Sequence, residues 1–367
     1  MMLKGKTAIG PGLLFTFMFS SIFGYEIMQL PLAAAKYGGP NEYWGLVVAF
    51  GLSTIVILQL VALQKRFPGK SVVQYLPDVV GTVPGKILGI IYILFLIILL
   101  SWTVRAVAEQ FNTYFLLRTP AWVIMALTLL SIMYLAYTGI EGITRLASFV
   151  FPLSFIFILL STAISFQFFD PDKVRPVFYV QGYEIPIVAL ESFYSFFALA
   201  VLFVVLPYLT EQNKALKTLV TANTLAFAFT FLLVIAAIGT FGAKGVLRYS
   251  WPIMELIKNT NIPFIFQTFG LFFAVAWLSQ LFIAAGGFYF AAAQATSELL
   301  KGLNYKTVIL AFFPAIFILS NLVPSTVSFR EWLGYLRLSG FAVVFGFPLL
   351  LWILTTLLKR GDLKNAH

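Results

Sequence analysis

The sequence predicts an all-α integral membrane protein of about ten transmembrane helices forming a single membrane domain, and three observations carry that prediction. Of 367 residues, 60% are hydrophobic and 10% charged, with a mean hydropathy of +0.95. Soluble domains are roughly a quarter charged, so polar groups cannot cover this surface and lipid must. Charge-poor runs of roughly 20 residues recur along the chain, the length a helix needs to cross the hydrocarbon. The runs are continuous, not alternating, which sets aside a porin-like barrel. Helices remain, because each satisfies its backbone hydrogen bonds internally.

Taken in order, the runs define ten spans. The first covers Thr7 to Ala35, with Glu26 as its one charge. The next four are Tyr43 to Gln64, Ile87 to Val104, Thr119 to Ile140 and Leu146 to Phe169. The sixth is Ile185 to Thr210, interrupted by Glu191, and the seventh Thr218 to Ala243. The eighth lies inside Asn259 to Ser297, a stretch too long for one perpendicular span, whose opening through Pro263 reads as loop. The ninth is Thr307 to Phe329 and the tenth Leu338 to Leu358. The basic start, Met1 to Lys6, precedes an apolar stretch without a small-residue cleavage site, so it reads as the lead of a retained helix.

Charge asymmetry sets an expected orientation. With both termini cytoplasmic, the inner loops hold 14 of the 24 Lys and Arg but only five of the 14 acids. Such a face is drawn to anionic membrane lipids, which accounts for the net charge of +10 without nucleic acid. Cysteine is absent and the single histidine is His367. No thiolate zinc site, thiol catalysis or histidine-based active site is therefore expected, and no catalytic residue, metal or cofactor is expected.

Ionisable groups inside spans point to function by default, because burying them in lipid is costly. Glu26 follows Gly24 and precedes Pro31. Glycine weakens a helix in mid-span, and Pro31 clashes with the carbonyl of Ile27, so the first span is expected to break near Ile22 to Ile27. Freed backbone groups at membrane depth are tolerated only where they line a cavity or bind something. The alternative is a tightly packed Gly24 with a protonated Glu26 bonded inside the bundle.

Glu191 opens span six, five spans later, and Pro207 lies near that span's other end. Ten spans divide into two fives, the arrangement of inverted-repeat transporters with discontinuous first helices. No glycine lies between Glu191 and Pro207, so the signal for a break is weaker there. The alternative for Glu191 is an interfacial acid facing water. Span eight carries Gln280, Gly286, Gly287 and Tyr289. The glycine pair suits close helix contact, with a cavity lining as the alternative. Arg105 and Glu109, at i,i+4 spacing, are expected to pair. Ser71 to Val80 and Tyr249 to Lys258 are amphipathic and expected along the membrane interface.

Several loop motifs give the chain a family resemblance. Lys65-Arg66-Phe67-Pro68-Gly69-Lys70-Ser71 follows span two, and Leu116-Leu117-Arg118-Thr119-Pro120 precedes span four. Gly139-Ile140-Glu141-Gly142 leads to Arg145-Leu146-Ala147, Leu206-Pro207-Tyr208-Leu209 closes span six, and Trp251-Pro252 precedes Glu255-Leu256-Ile257-Lys258. Together they resemble the spore germination permeases, the B subunits of endospore germinant receptors, within the amino acid–polyamine–organocation transporter superfamily. The resemblance runs from span one to span ten.

That resemblance implies two inverted five-helix repeats, about residues 7–169 and 185–358, with interrupted helices 1 and 6 and a short cytoplasmic tail at 359–367. It implies a ligand between spans one, three, six and eight. The candidates are then Phe23, Gly24, Tyr25, Glu26 and Ile27 in span one, and Leu100 and Ser101 in span three. Span six contributes Ser195, Ala198 and Leu199, and span eight Gly287 and Tyr289. Glu26 and Glu191 are the candidates for proton linkage. The implied role is sensing a small-molecule germinant such as an amino acid, with signalling to an A subunit and a C-subunit lipoprotein in the inner membrane of the spore.

One departure bears on ligand choice. Relatives tend to carry Gly-x-Gly-Ile where this chain has Gly24-Tyr25-Glu26-Ile27. In that superfamily the open amides receive a substrate carboxylate. A glutamate there could occupy the place itself, repel an anion when ionised, or attract an amine. A receptor and a proton- or cation-coupled carrier both need this cavity, so the spans alone do not separate them. A membrane enzyme and a passive channel find little support.

Overall fold

The computed structural model describes residues 8–25, 27–37, 43–175, 184–259, 269–322 and 326–358. Eight helices among them are long and apolar enough to cross a membrane, and two shorter apolar helices, Ala121–Tyr137 and Tyr305–Asn321, complete the ten spans. The architecture is that of two inverted five-helix repeats.

Span one is made of α1 (Pro11–Gly24) and α2 (Leu30–Tyr37), separated by Tyr25 and a 3₁₀ turn over Ile27–Gln29. Pro11 opens α1 and Pro31 is the second residue of α2, positions where a missing N–H costs nothing. Tyr25 is extended, at φ −81° and ψ 117°. The helix therefore ends at Gly24, inside the window read from the sequence, and restarts at Leu30, three residues beyond it.

Span two is α3 (Tyr43–Arg66), followed by α4 (Val72–Val80). Ser71 caps α4 in a reciprocal capping box with Gln74 and also donates to the Glu298 carboxylate. The amphipathic character of α4 is used for packing, since Val72, Val73, Tyr75, Leu76 and Val79 are all buried. Span three is α5 (Thr82–Tyr114), longer at both ends than its charge-free run. Arg105 pairs with Glu109 one turn on, as their spacing implied, so the helix carries both charges as a neutral pair. Spans four and five are α6 (Ala121–Tyr137) and α7 (Gly139–Ile164).

Span six joins α8 (Glu184–Phe193) to α9 (Leu202–Val205) through a 3₁₀ stretch over Tyr194–Val201. The interruption here is a tightening, not an unwinding. 3₁₀ runs beyond three or four residues are uncommon, and one in mid-helix marks a hinge or strain. Span seven is α10 (Ala215–Phe241). The connection to span eight contains α11 (Ala243–Val246) and α12 (Pro252–Asn259). Span eight is α13 (Phe269–Leu300) and span nine α14 (Tyr305–Asn321). Most of the loop expected at Asn259 to Pro263 lies outside the described residues. Span ten is α15 (Thr326–Phe341), a π-helical turn over Ala342–Gly346, and α16 (Phe347–Leu357).

Spans two and seven, equivalent members of the two repeats, are clasped by a buried polar contact. Asn223 Nδ2 donates to Ser53 Oγ at 2.9 Å and Thr54 Oγ1 at 3.3 Å. At the other end of the broken spans, Ile9 pairs with the end of span six. Ile9 N–H donates to the Tyr208 carbonyl at 2.9 Å, and Thr210 N–H donates to the Ile9 carbonyl at 3.0 Å. Spans one and six are thus tied together at these ends.

Candidate functional site at the break in span one

Gly24 sits where no side chain fits. A Cβ there would lie 2.5 Å from the carbonyl carbon of Gln280 and 2.6 Å from the backbone nitrogen of Leu281. About two turns away on each helix, Gly287 lies against Phe17, where an added Cβ would meet the ring at 2.8 Å. Gly24 facing Gln280 and Phe17 facing Gly287 make α1 and α13 antiparallel along one tight seam. The glycine-mediated packing weighed from the sequence is present at both ends of it.

The break leaves backbone groups that neighbouring helices satisfy. Trp277 Nε1 donates to the Gly24 carbonyl at 3.0 Å. The 3₁₀ stretch of span six has a matching arrangement, with the Tyr92 hydroxyl donating to the Ala200 carbonyl at 2.9 Å. Each irregular segment is held by one aromatic donor from a regular span. Outside the break, α12 packs on the Ile27–Gln29 turn. Its apolar residues Ile253, Met254, Leu256 and Ile257 are buried. The amphipathic loop thus covers the interruption, a placement the sequence did not reveal.

Polar groups along the seam are less well served. Gln280 has no exposed surface, and neither its amide nitrogen nor its amide oxygen has a hydrogen-bond partner among the described residues. The hydroxyls of Ser20 and Ser21, which lie between Phe17 and Gly24 on α1, are in the same condition, as are those of Ser192 and Ser195 in span six. A buried polar group without a partner costs about 1–3 kcal/mol. These groups lie on spans one, six and eight, and each is a neutral donor or acceptor.

Aromatic rings close the site on one side. Tyr25 makes edge contacts with Tyr194, centroids 6.4 Å apart, and with Phe288 at 5.5 Å. The Arg337 guanidinium lies 4.5 Å from the centroid of the Tyr194 ring and is ion-paired with Glu191. Glu191 is therefore the anionic half of a span six–span ten bridge.

The sequence-derived candidates divide accordingly. Gly24, Tyr25 and Gly287 meet along the seam and its margin. Ser195, Ala198 and Leu199 are buried in the 3₁₀ stretch on which α1 packs. Ile27 lies in the turn beneath α12. Phe23 stacks on Phe19, which in turn touches Phe151 of span five, away from the seam. Leu100 is buried in α5, while Ser101 bonds its own helix at Ile97 and accepts from Ser320 of α14. The Tyr289 hydroxyl donates to the Ile309 carbonyl at 2.6 Å, on the α14 side of span eight. Glu26 lies outside the described residues. Trp277 was not singled out by sequence, and Gln280 was noted without a role; an isolated indole and an amide one turn apart, facing a predicted break, were the available signal.

A bundle of ten spans with a broken first helix, a 3₁₀ segment in the sixth and a polar seam between one and eight has the architecture of a secondary transporter. Solved structures agree on the fold. MhsT in complex with L-phenylalanine is 14% identical and superposes with a TM-score of 0.70, covering 97% of this chain and 92% of its own. Mhp1, a nucleobase-cation-symport-1 family transporter in a closed conformation with bromovinylhydantoin bound, is 13% identical with a TM-score of 0.64, covering 96% and 79%.

The family model for spore germination proteins matches residues 8–329, and the chain belongs to that family. Spore germination protein B2 of Bacillus subtilis (strain 168) is 25% identical over 362 residues, 94% of this chain and 95% of that protein. Spore germination protein A2 of the same organism is 26% identical over 359 residues, 94% of each. YndE, another spore germination protein of that organism, is 25% identical over 341 residues, covering 92% and 93%. This is an integral membrane protein of the spore germination family on a transporter fold.

Proposed function

We propose that the chain is the ligand-binding membrane subunit of a spore germinant receptor. A small nutrient such as an amino acid binds where spans one, three, six and eight meet. Occupancy passes to partner subunits, a larger membrane A subunit and a C-subunit lipoprotein. The protein lies in the inner membrane of the spore with both termini cytoplasmic, and its repeats run from about residue 7 to 169 and from about 185 to 358. The observation that carries this reading is the Gln280 amide, fully buried and unpartnered against the break at Gly24. A ligand that prefers one of two arrangements of the broken spans shifts their population by its differential affinity. Glu26 tunes which charged group is accepted there.

A second reading, a proton- or cation-coupled amino acid carrier, is favoured by the similarity to MhsT and Mhp1 over nearly the whole chain. Reconstitution separates the two. Proteoliposomes are given radiolabelled amino acids under an imposed gradient, alongside equilibrium binding to the same preparation. Binding without sustained accumulation supports the receptor, gradient-driven accumulation supports the carrier, and no saturable binding of any amino acid, sugar or nucleoside contradicts both.

A further inference from the structure

We propose that the cavity beside the second half of span one is a ligand site in its own right, taking a small monocarboxylate with an apolar body. The cavity has a volume of about 270 Å³. Its walls are Leu32 and Ala33 of α2, Leu247, and Leu333 of α15, all apolar. Its polar lining is Gln29, Lys36 and Arg337. One charged end and a hydrocarbon wall define an amphiphile.

Arg337 is built to receive the charged end. Its guanidinium face rests on Tyr194, and Nη1 engages Glu191, so the group is held in one orientation. Its Nε is buried and has no partner among the described residues. A guanidinium presents its donors as a planar fork, and with Nη1 engaged the rest of the fork is what a carboxylate entering the cavity would engage. Lys36 is exposed on the same lining. Glu191 sets the limit on ligand charge. A carboxylate already beside Arg337 repels a second anion, which a monoanion tolerates far better than a phosphate dianion. The lining of this cavity includes neither Gly24 nor Gln280, so the two sites stand or fall separately.

The test uses the full-length protein in detergent and titration calorimetry with two probes, 3-phenylpropionate and phenethylamine, which differ in the charge of their polar end. The wild type should bind 3-phenylpropionate saturably and phenethylamine not at all. Glu191→Gln removes the competing carboxylate and should tighten 3-phenylpropionate about tenfold, a change of about 1.4 kcal/mol. Arg337→Gln should abolish binding. Because that change strands Glu191, the double variant Glu191→Gln/Arg337→Gln, which leaves no unpaired charge, is measured beside it and should also fail to bind. The proposal is overturned if Glu191→Gln does not bind 3-phenylpropionate, or if the double variant binds it as the wild type does.

Discussion

Trp277 holds Gly24: the indole nitrogen of span eight donates 3.0 Å to the last helical carbonyl before span one breaks. The break is thus a supported feature, since a carbonyl released at membrane depth needs a donor from the protein. Tyr92 does the same for Ala200, although the Ala200 carbonyl also accepts from the Leu202 backbone. Trp277→Phe keeps an aromatic ring and removes the donor, and should cost about 1–3 kcal/mol. Tyr92→Phe should cost less, because its carbonyl keeps a second partner. Unfolding midpoints of the two purified variants give the order, and equal effects would count against this account.

Gly24→Ala tests the seam itself. The new methyl would meet the backbone of Gln280 and Leu281, neither of which can rotate away. Overpacking of this kind costs about 1–3 kcal/mol, so the variant should unfold at a clearly lower temperature. Gly12→Ala, where a Cβ meets nothing within 4 Å, is the control and should leave the midpoint unchanged or raised.

The clasp between the repeats is a separate element. Asn223→Ala removes the bonds to Ser53 and Thr54 and should destabilise the protein by about 0.6–2 kcal/mol. Pairing it with Ser53→Ala in a double-mutant cycle should show coupling, and simple additivity would mean that the contact contributes nothing.

Glu26→Gln addresses ligand choice. An ionised glutamate repels an anionic ligand group and attracts an amine, so Glu26→Gln should tighten a carboxylate-bearing ligand and weaken a cationic one. Unchanged binding of every ligand across pH 5 to 8 would remove Glu26 from recognition.

Much of this architecture was legible in the residues. Gly24 and Pro31 mark the broken helix because each acts through the local backbone, which sequence alone specifies. Arg105 and Glu109 were readable as a pair because one turn of helix fixes their distance. The 3₁₀ stretch of span six was not, since a tightened helix needs neither glycine nor proline and its buried residues look like any apolar run. The Glu191–Arg337 bridge joins residues far apart in the chain, and only packing brings them together. The same holds for α12, whose amphipathic pattern pointed to the membrane interface and not to the Ile27–Gln29 turn that it packs on.

The most direct test of the central claim is ligand-dependent thermal stabilisation of the purified protein, screened with amino acids, sugars and nucleosides, in the wild type and in Gln280→Met. Methionine keeps the volume of the side chain while removing its amide. If the Gln280 amide receives the ligand, one compound raises the wild-type midpoint and loses most of that effect in Gln280→Met, with the unliganded variant at least as stable as the wild type. A compound that stabilises both proteins equally would place recognition elsewhere and contradict the account.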